Sequence, residues 1–138
     1  PELNLRDWSG KQPIRVTLDR NNRIPSDAKI KDGKNESIIF SKEIKDESGY
    51  VHWEVSSDFS LVEMMEYLYK KEIGSMLVEG GSKIIKSLLE LGLWDEARVF
   101  IGKGSFGDGV KAQVLPIPAE ESIDFSKNLL IITHNRIY

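Results

Sequence analysis

Apolar and polar residues alternate from Ile14 through Arg15, Val16 and Thr17 to Leu18, which predicts a strand with one strongly apolar face. The polar run "RNNRIPSD" that follows, with Pro25 inside it, predicts a loop. "SIIFS" (37–41) and "VHWEV" (51–55) predict a second and a third strand. Across "SSDFSLVEMMEYLYKKEIG" the apolar residues Leu61, Met64, Met65 and Leu68 fall at helical spacing. Ser57, Asp58 or Ser60 is positioned to cap the start, and Gly74 to close the end. "SMLVE" (75–79) is continuously apolar up to its glutamate, the pattern of a parallel strand covered on both faces. A second helix is predicted after a cap at Ser82, with Ile84, Ile85, Leu88, Leu89 and Leu91 as its stripe and Gly92 as its stop. "EARVFIG" (96–102) and "NLLIIT" (128–133) predict two more strands, separated by a glycine-rich surface loop, "GKGSFGDGVKAQ". This order of strands and helices predicts an α/β fold with mostly parallel neighbours and right-handed crossovers.

A chain of 138 residues, 40% apolar and 30% charged, is expected to form a single domain over 1–138 with a real hydrophobic core. The net charge of −3 leaves no basic footprint, so neither nucleic acid nor an anionic membrane is expected as a partner. The absence of cysteine excludes disulfides, thiolate metal sites and cysteine nucleophiles, and fits a reducing, cytoplasmic setting. No apolar run reaches the roughly 20 residues of a membrane-spanning helix, and no signal-peptide pattern opens the chain. The first residue is Pro1, so a fragment of something longer is expected.

The turn Glu79-Gly80-Gly81-Ser82 is the best candidate for chemistry. Ligands of α/β sheets bind beyond the carboxyl ends of strands, where the next helix points its N-terminus. Gly80 and Gly81 admit a ligand close to the backbone, and the N–H groups of Ser82 and Lys83 suit a phosphate. Glu79 would repel that phosphate, so it suits hydroxyl or N–H donors of a second ligand. The competing reading is a plain tight turn with a carboxylate near the positive end of a helix. Arg20 and Arg23 follow the first strand, where a basic residue can pair with a ribose 2′-phosphate; a solvated loop charge is the alternative. Arg6, in a segment that is neither strand nor helix, is either a phosphate fork or simply surface. His52 and His134 have no metal-ligand spacing, Asp95 and Glu96 read as capping or surface charge, and no metal site is expected.

Taken in order, "PELNLR", "PIRVTLDRNNRIP", "MLVEGGSKIIKSLLELGLWDEARVFIGKGSFGDG" and the terminal "NLLIIT" resemble the reductase domain of the bifunctional riboflavin-biosynthesis deaminase–reductase, the RibD C-terminal domain. The resemblance covers essentially the whole chain. It implies a dihydrofolate-reductase-like fold with a mostly parallel central sheet flanked by helices. It also implies NADPH-dependent reduction of the ribosyl group of 5-amino-6-(5-phosphoribosylamino)uracil to ribityl, with hydride delivered to C1′. By the same resemblance Leu3, Arg6 and Glu79 bind the phosphorylated aminopyrimidine. Arg20 together with Gly81, Ser82, Lys83, Ile84, Ile85, Lys86 and Ser87 lines NADPH, and a homodimer is the expected assembly. No general acid is assigned. Family members begin with a "TLDG"-like strand, a helix and a "G-T-x-x-x-D-(N/D)-P" segment. This chain starts at what matches the last proline of that segment, so a domain lacking its first strand and helix is expected. Two other readings stay open: another dihydrofolate-reductase-like NADPH reductase, and a non-catalytic structural or dimer-forming piece.

Overall fold

The structure is a computed structural model that describes residues 2–42, 51–54, 59–105 and 107–136, with the side chains of 51–54 and of Phe125 left aside. The chain divides into two compact units, Pro1–Met64 and Met65–Tyr138.

The first unit is built on a three-stranded parallel sheet in the order β1-β2-β3, from β1 (Arg15–Leu18), β2 (Ser37–Ser41) and β3 (Val51–Glu54). The central strand β2 is buried along its whole length, with Ile38, Ile39 and Phe40 at 2% exposure or less. A strand covered on both faces must be apolar throughout, which is why "SIIF" does not alternate. Phe40 stacks on Phe59, ring centroids 5.4 Å apart.

The alternation in β1 conceals one inversion. Arg15, predicted on the polar face, is 2% exposed. Its guanidinium donates from Nε to Ser37 Oγ (2.9 Å) and from Nη1 to the Lys29 carbonyl (2.7 Å). Its Nη2 reaches the carbonyls of Ile30 (3.2 Å) and Asn35 (3.0 Å) and the Asp32 carboxylate (3.0 Å). A buried cation is tolerated only when its donors are satisfied in this way. The network holds the short 3₁₀ turn Lys29–Lys31 and the entry to β2 against β1.

Helix α1 (Leu61–Lys70) begins with a capping box at "SLVE". The Ser60 Oγ accepts from the Glu63 N–H (3.2 Å), and Glu63 accepts from the Ser60 N–H (2.7 Å). Of the three predicted caps, Ser60 is the one used; Ser57 and Asp58 lie outside the described residues. The boundary between the units falls inside this helix, after Met64, and Leu61, Met64, Tyr67 and Leu68 are its buried positions. The helix ends one turn earlier than Gly74. Glu72 takes the left-handed conformation (φ 59°), its N–H bonds the Tyr69 carbonyl (2.9 Å), and the Ile73 N–H bonds the Leu68 carbonyl (3.1 Å). That is a Schellman ending with a glutamate where glycine is preferred.

In the second unit α2 (Ser82–Glu90) ends in the same motif, here with the expected Gly92 (φ 68°). Its sheet is antiparallel, in the order β4-β6-β5: β4 (Glu96–Ile101), β5 (Glu121–Phe125) and β6 (Asn128–His134). The expected parallel pairing therefore holds in the first unit, and the C-terminal strands pair antiparallel. The reason lies in the connection: β5 and β6 are joined by a two-residue loop, Ser126–Lys127, too short for a parallel crossover. Asn135 ties the α2–β4 turn to the end of β6. Its Nδ2 donates to the carbonyls of Trp94 (2.9 Å) and Gly92 (3.2 Å), and its N–H to the Asp95 carbonyl (2.7 Å). The predicted strand at 75–79 does not form, and Leu77 is 84% exposed. An apolar pattern favours burial, but a strand also needs backbone partners, and none of the described residues hydrogen-bonds this stretch.

Two outcomes are expected. Glu72→Gly should stabilise the protein by about 1 kcal/mol in a denaturant melt, by relieving a left-handed non-glycine residue. The Asp32 carboxyl should titrate below the usual aspartate range. The Lys34 backbone N–H is the larger cause and the Arg15 guanidinium the smaller, partial burial opposing both. Because the folded-state value is depressed, this contribution to stability is complete above the ordinary aspartate range. It disappears as pH falls through the lowered value. Carboxyl NMR checks both parts, and Arg15→Lys should move the midpoint upward.

Candidate functional site

The turn entering α2 is built from backbone. Gly81 occupies the N-cap position with φ 31° and ψ 126°, and no side chain caps the helix. Ser82, predicted as the cap, is instead the first helical residue, because Gly81 already makes the turn. The Gly81 carbonyl takes the N–H groups of Ile84 (3.0 Å) and Ile85 (3.2 Å). The N–H groups of Ser82 and Lys83 have no partner among the described residues. No acidic side chain lies in the first turn, and a Cβ on Gly80 or Gly81 would meet nothing within 4 Å. Free amides, helix dipole and open approach together suit an anion.

The neighbouring residues of the predicted run differ in what they offer. Ile84 and Ile85 are half-buried and their amides are used within the helix. Lys86 pairs with Glu90 (3.6 Å), and the Ser87 hydroxyl donates back to the Lys83 carbonyl (3.0 Å). Lys86 and Glu90 also line an open groove of about 420 Å³ with Leu89, Lys111, Gln113 and Pro116. Glu79 is exposed and its carboxylate has no partner among the described residues, so it is free to accept from a ligand.

The remaining predicted residues belong to the first unit. Leu3 holds a left-handed backbone (φ 49°), unusual for a branched side chain. Its arm is pinned by Gln12, whose Oε1 accepts from the Leu5 N–H (2.9 Å), and by an ion pair between Glu2 and Lys29. Arg6 is exposed on this arm. Arg20 is exposed as well, with Nη2 donating to the Phe59 carbonyl (2.9 Å). Beside it sits a residue that pattern reading passes over. Asp19 is 8% exposed and accepts from the Arg23 N–H (2.9 Å) and the Ile24 N–H (2.8 Å). An acid at a strand end followed by two asparagines is the available sequence signal for such a turn.

The two histidines differ. The side chain of His52 is outside the described set. His134 lies between Glu96 (3.3 Å) and Glu120 (3.2 Å) at the surface, where Arg98 and Arg136 neutralise the same carboxylates. The Arg98 hydrogen bond is the main reason the Glu96 carboxyl lies below its usual range.

With a parallel sheet in one unit and a helix and an antiparallel sheet in the other, the class is α/β of the dihydrofolate-reductase-like kind. The sequence matches the RibD C-terminal domain family over residues 1–120, and the chain belongs to that family. It is 28% identical to the riboflavin biosynthesis protein RibD of Aquifex aeolicus, covering 92% of this chain and 38% of that protein. It is 26% identical to the 2,5-diamino-6-ribosylamino-4(3H)-pyrimidinone 5′-phosphate reductase of Archaeoglobus fulgidus, covering 73% of this chain and 50% of that one. The crystal structure of a diaminohydroxyphosphoribosylaminopyrimidine deaminase/5-amino-6-(5-phosphoribosylamino)uracil reductase from Thermotoga maritima matches with a TM-score of 0.78 and 25% identity. That match covers 98% of this chain and 41% of that one. The chain thus spans half or less of the length of these relatives.

If the open geometry at Gly81 is what the turn requires, then Gly81→Ala should cost about 1–2 kcal/mol in a denaturant melt. The penalty comes from the backbone alone, since the added methyl meets no neighbour.

Proposed function

We propose that the chain is part of a riboflavin-biosynthesis reductase, one that reduces the ribosyl group of 5-amino-6-(5-phosphoribosylamino)uracil to ribityl with NADPH. The observation that carries this is the family match over residues 1–120, together with likeness to a named pyrimidinone phosphate reductase. The match runs across both compact units, which supports reading them as parts of one reductase domain.

Taken unit by unit, the donors suit parts of a dinucleotide. The unpartnered amides of Ser82 and Lys83 and the bare backbone of Gly80 and Gly81 suit its phosphates, and the exposed Arg20 suits a ribose 2′-phosphate. NADPH, held by these residues, would supply a hydride for the sugar C1′, the bond from C1′ to the ring oxygen would break, and solvent would supply the proton to that oxygen. In this reading Glu79 accepts hydrogen bonds from the sugar or pyrimidine and orients it. Arg6 holds the substrate phosphate by its planar fork, and Leu3 packs on the substrate. Chemistry then rests on positioning, with no proton-transfer role given to Glu79. A homodimer is part of the same proposal, supported by the apolar edge of β4, where Phe100 is 58% exposed. So is a cytoplasmic setting, which suits a chain without cysteine.

Replacing Glu79 with Gln keeps shape and removes charge. Substrate KM should rise about tenfold or more, the loss of one charge-assisted hydrogen bond, while NADPH affinity is unchanged. Unchanged KM and turnover would remove Glu79 from the substrate site, and a substrate panel on the same protein separates this reaction from that of another reductase.

A further inference from the structure

The loop that leaves β1 is anchored at its start by two neighbouring side chains, Asp19 and Arg20. Asp19 is buried, and each of its carboxylate oxygens accepts a different backbone N–H, Oδ1 from Arg23 and Oδ2 from Ile24. Its own backbone continues the sheet and closes the turn. The Asp19 N–H donates to the Phe40 carbonyl (2.8 Å), and its carbonyl accepts from the Asn22 N–H (3.1 Å). Asn22 takes the left-handed conformation (φ 51°) that this closure demands. Next to Asp19, Arg20 Nη2 donates to the carbonyl of Phe59, whose ring is stacked on Phe40.

We propose that Asp19 is a positioning residue that sets the preference for a 2′-phosphorylated dinucleotide, acting through Arg20. The proposal rests on the reading of Arg20 as the 2′-phosphate ligand. Two backbone donors occupy the Asp19 carboxylate, so it shapes the loop without claiming the guanidinium. Among the described residues Arg20 has no ion pair, and its remaining N–H groups are left for a phosphate, which a guanidinium matches bidentately. The geometry demands aspartate. Asparagine offers one acceptor and turns an NH2 group toward a backbone N–H, a donor facing a donor in a buried place.

Calorimetric titration of NADPH and NADH into the protein, Asp19→Asn, Arg20→Ala and the double variant tests this. Asp19→Asn should weaken NADPH about tenfold and leave NADH within about twofold. Arg20→Ala should do the same, and the double variant should lose no more than Arg20→Ala alone, because both changes act through one contact. A parallel loss for NADH, an additive loss in the double variant, or unchanged NADPH binding by Asp19→Asn overturns the proposal. If Arg20→Ala keeps the full preference for NADPH, or the unsubstituted protein binds none, the underlying cofactor assignment fails and the proposal falls with it. Should Asp19→Asn not melt cooperatively, Asn22→Val strains the same turn from a half-buried position. It should shift the preference in the same direction, and an unshifted preference overturns the proposal.

Discussion

The Arg15 network is the constraint on which the N-terminal unit depends. A guanidinium buried to 2% exposure spends its donors on three carbonyls, one hydroxyl and one carboxylate, all in residues 29–37. Those acceptors are unusable by a hydrophobic side chain, and the cation is intolerable without them. Arg15 is also the first residue of the β1–β2 pairing, opposite Ser37, so the same contact that satisfies the charge sets the register. With register set, Asp19 arrives beside Phe40 at the carboxyl end of the sheet, and the loop carrying Arg20 begins from a fixed point.

The candidate binding elements share a physical character. Each is a short turn after a strand or before a helix, in which backbone conformation carries the geometry. Asp19 imposes the turn at 19–24 with two side-chain acceptors, while Gly81 makes its turn by having no side chain. The first leaves an arginine displayed, and the second leaves two amides without partners. An arginine fork and free backbone amides are two different kinds of anion contact.

Much of the fold, and the local geometry of the α2 turn, was legible in the residues. "SIIFS" announced a strand, Ser60 was among the three residues placed to cap α1, and Gly92 announced the end of α2. The glycine pair before "SKIIK" pointed to a helix start, and α2 begins there with open space around both glycines. The failures have a common cause. Glu72 ends α1 in place of Gly74, because a helix stops where its carbonyls find donors, even at a residue that dislikes the conformation.

Local pattern, caps and turn residues act over a few positions. Among the described residues, the sequence alone therefore determined both α-helices, five of the six strands with β5 unread, the family, and the residues worth suspecting. Tertiary structure decided what depends on partners distant in the chain. It buried Arg15 on a face that alternation marks as polar, since its acceptors lie 14 to 22 residues away. It withheld strand pairing from 75–79, where apolarity was sufficient and hydrogen-bonding neighbours were not. It also gave Asp19 its role, because a carboxylate becomes a loop anchor only when folding removes it from water and turns two backbone N–H groups toward it.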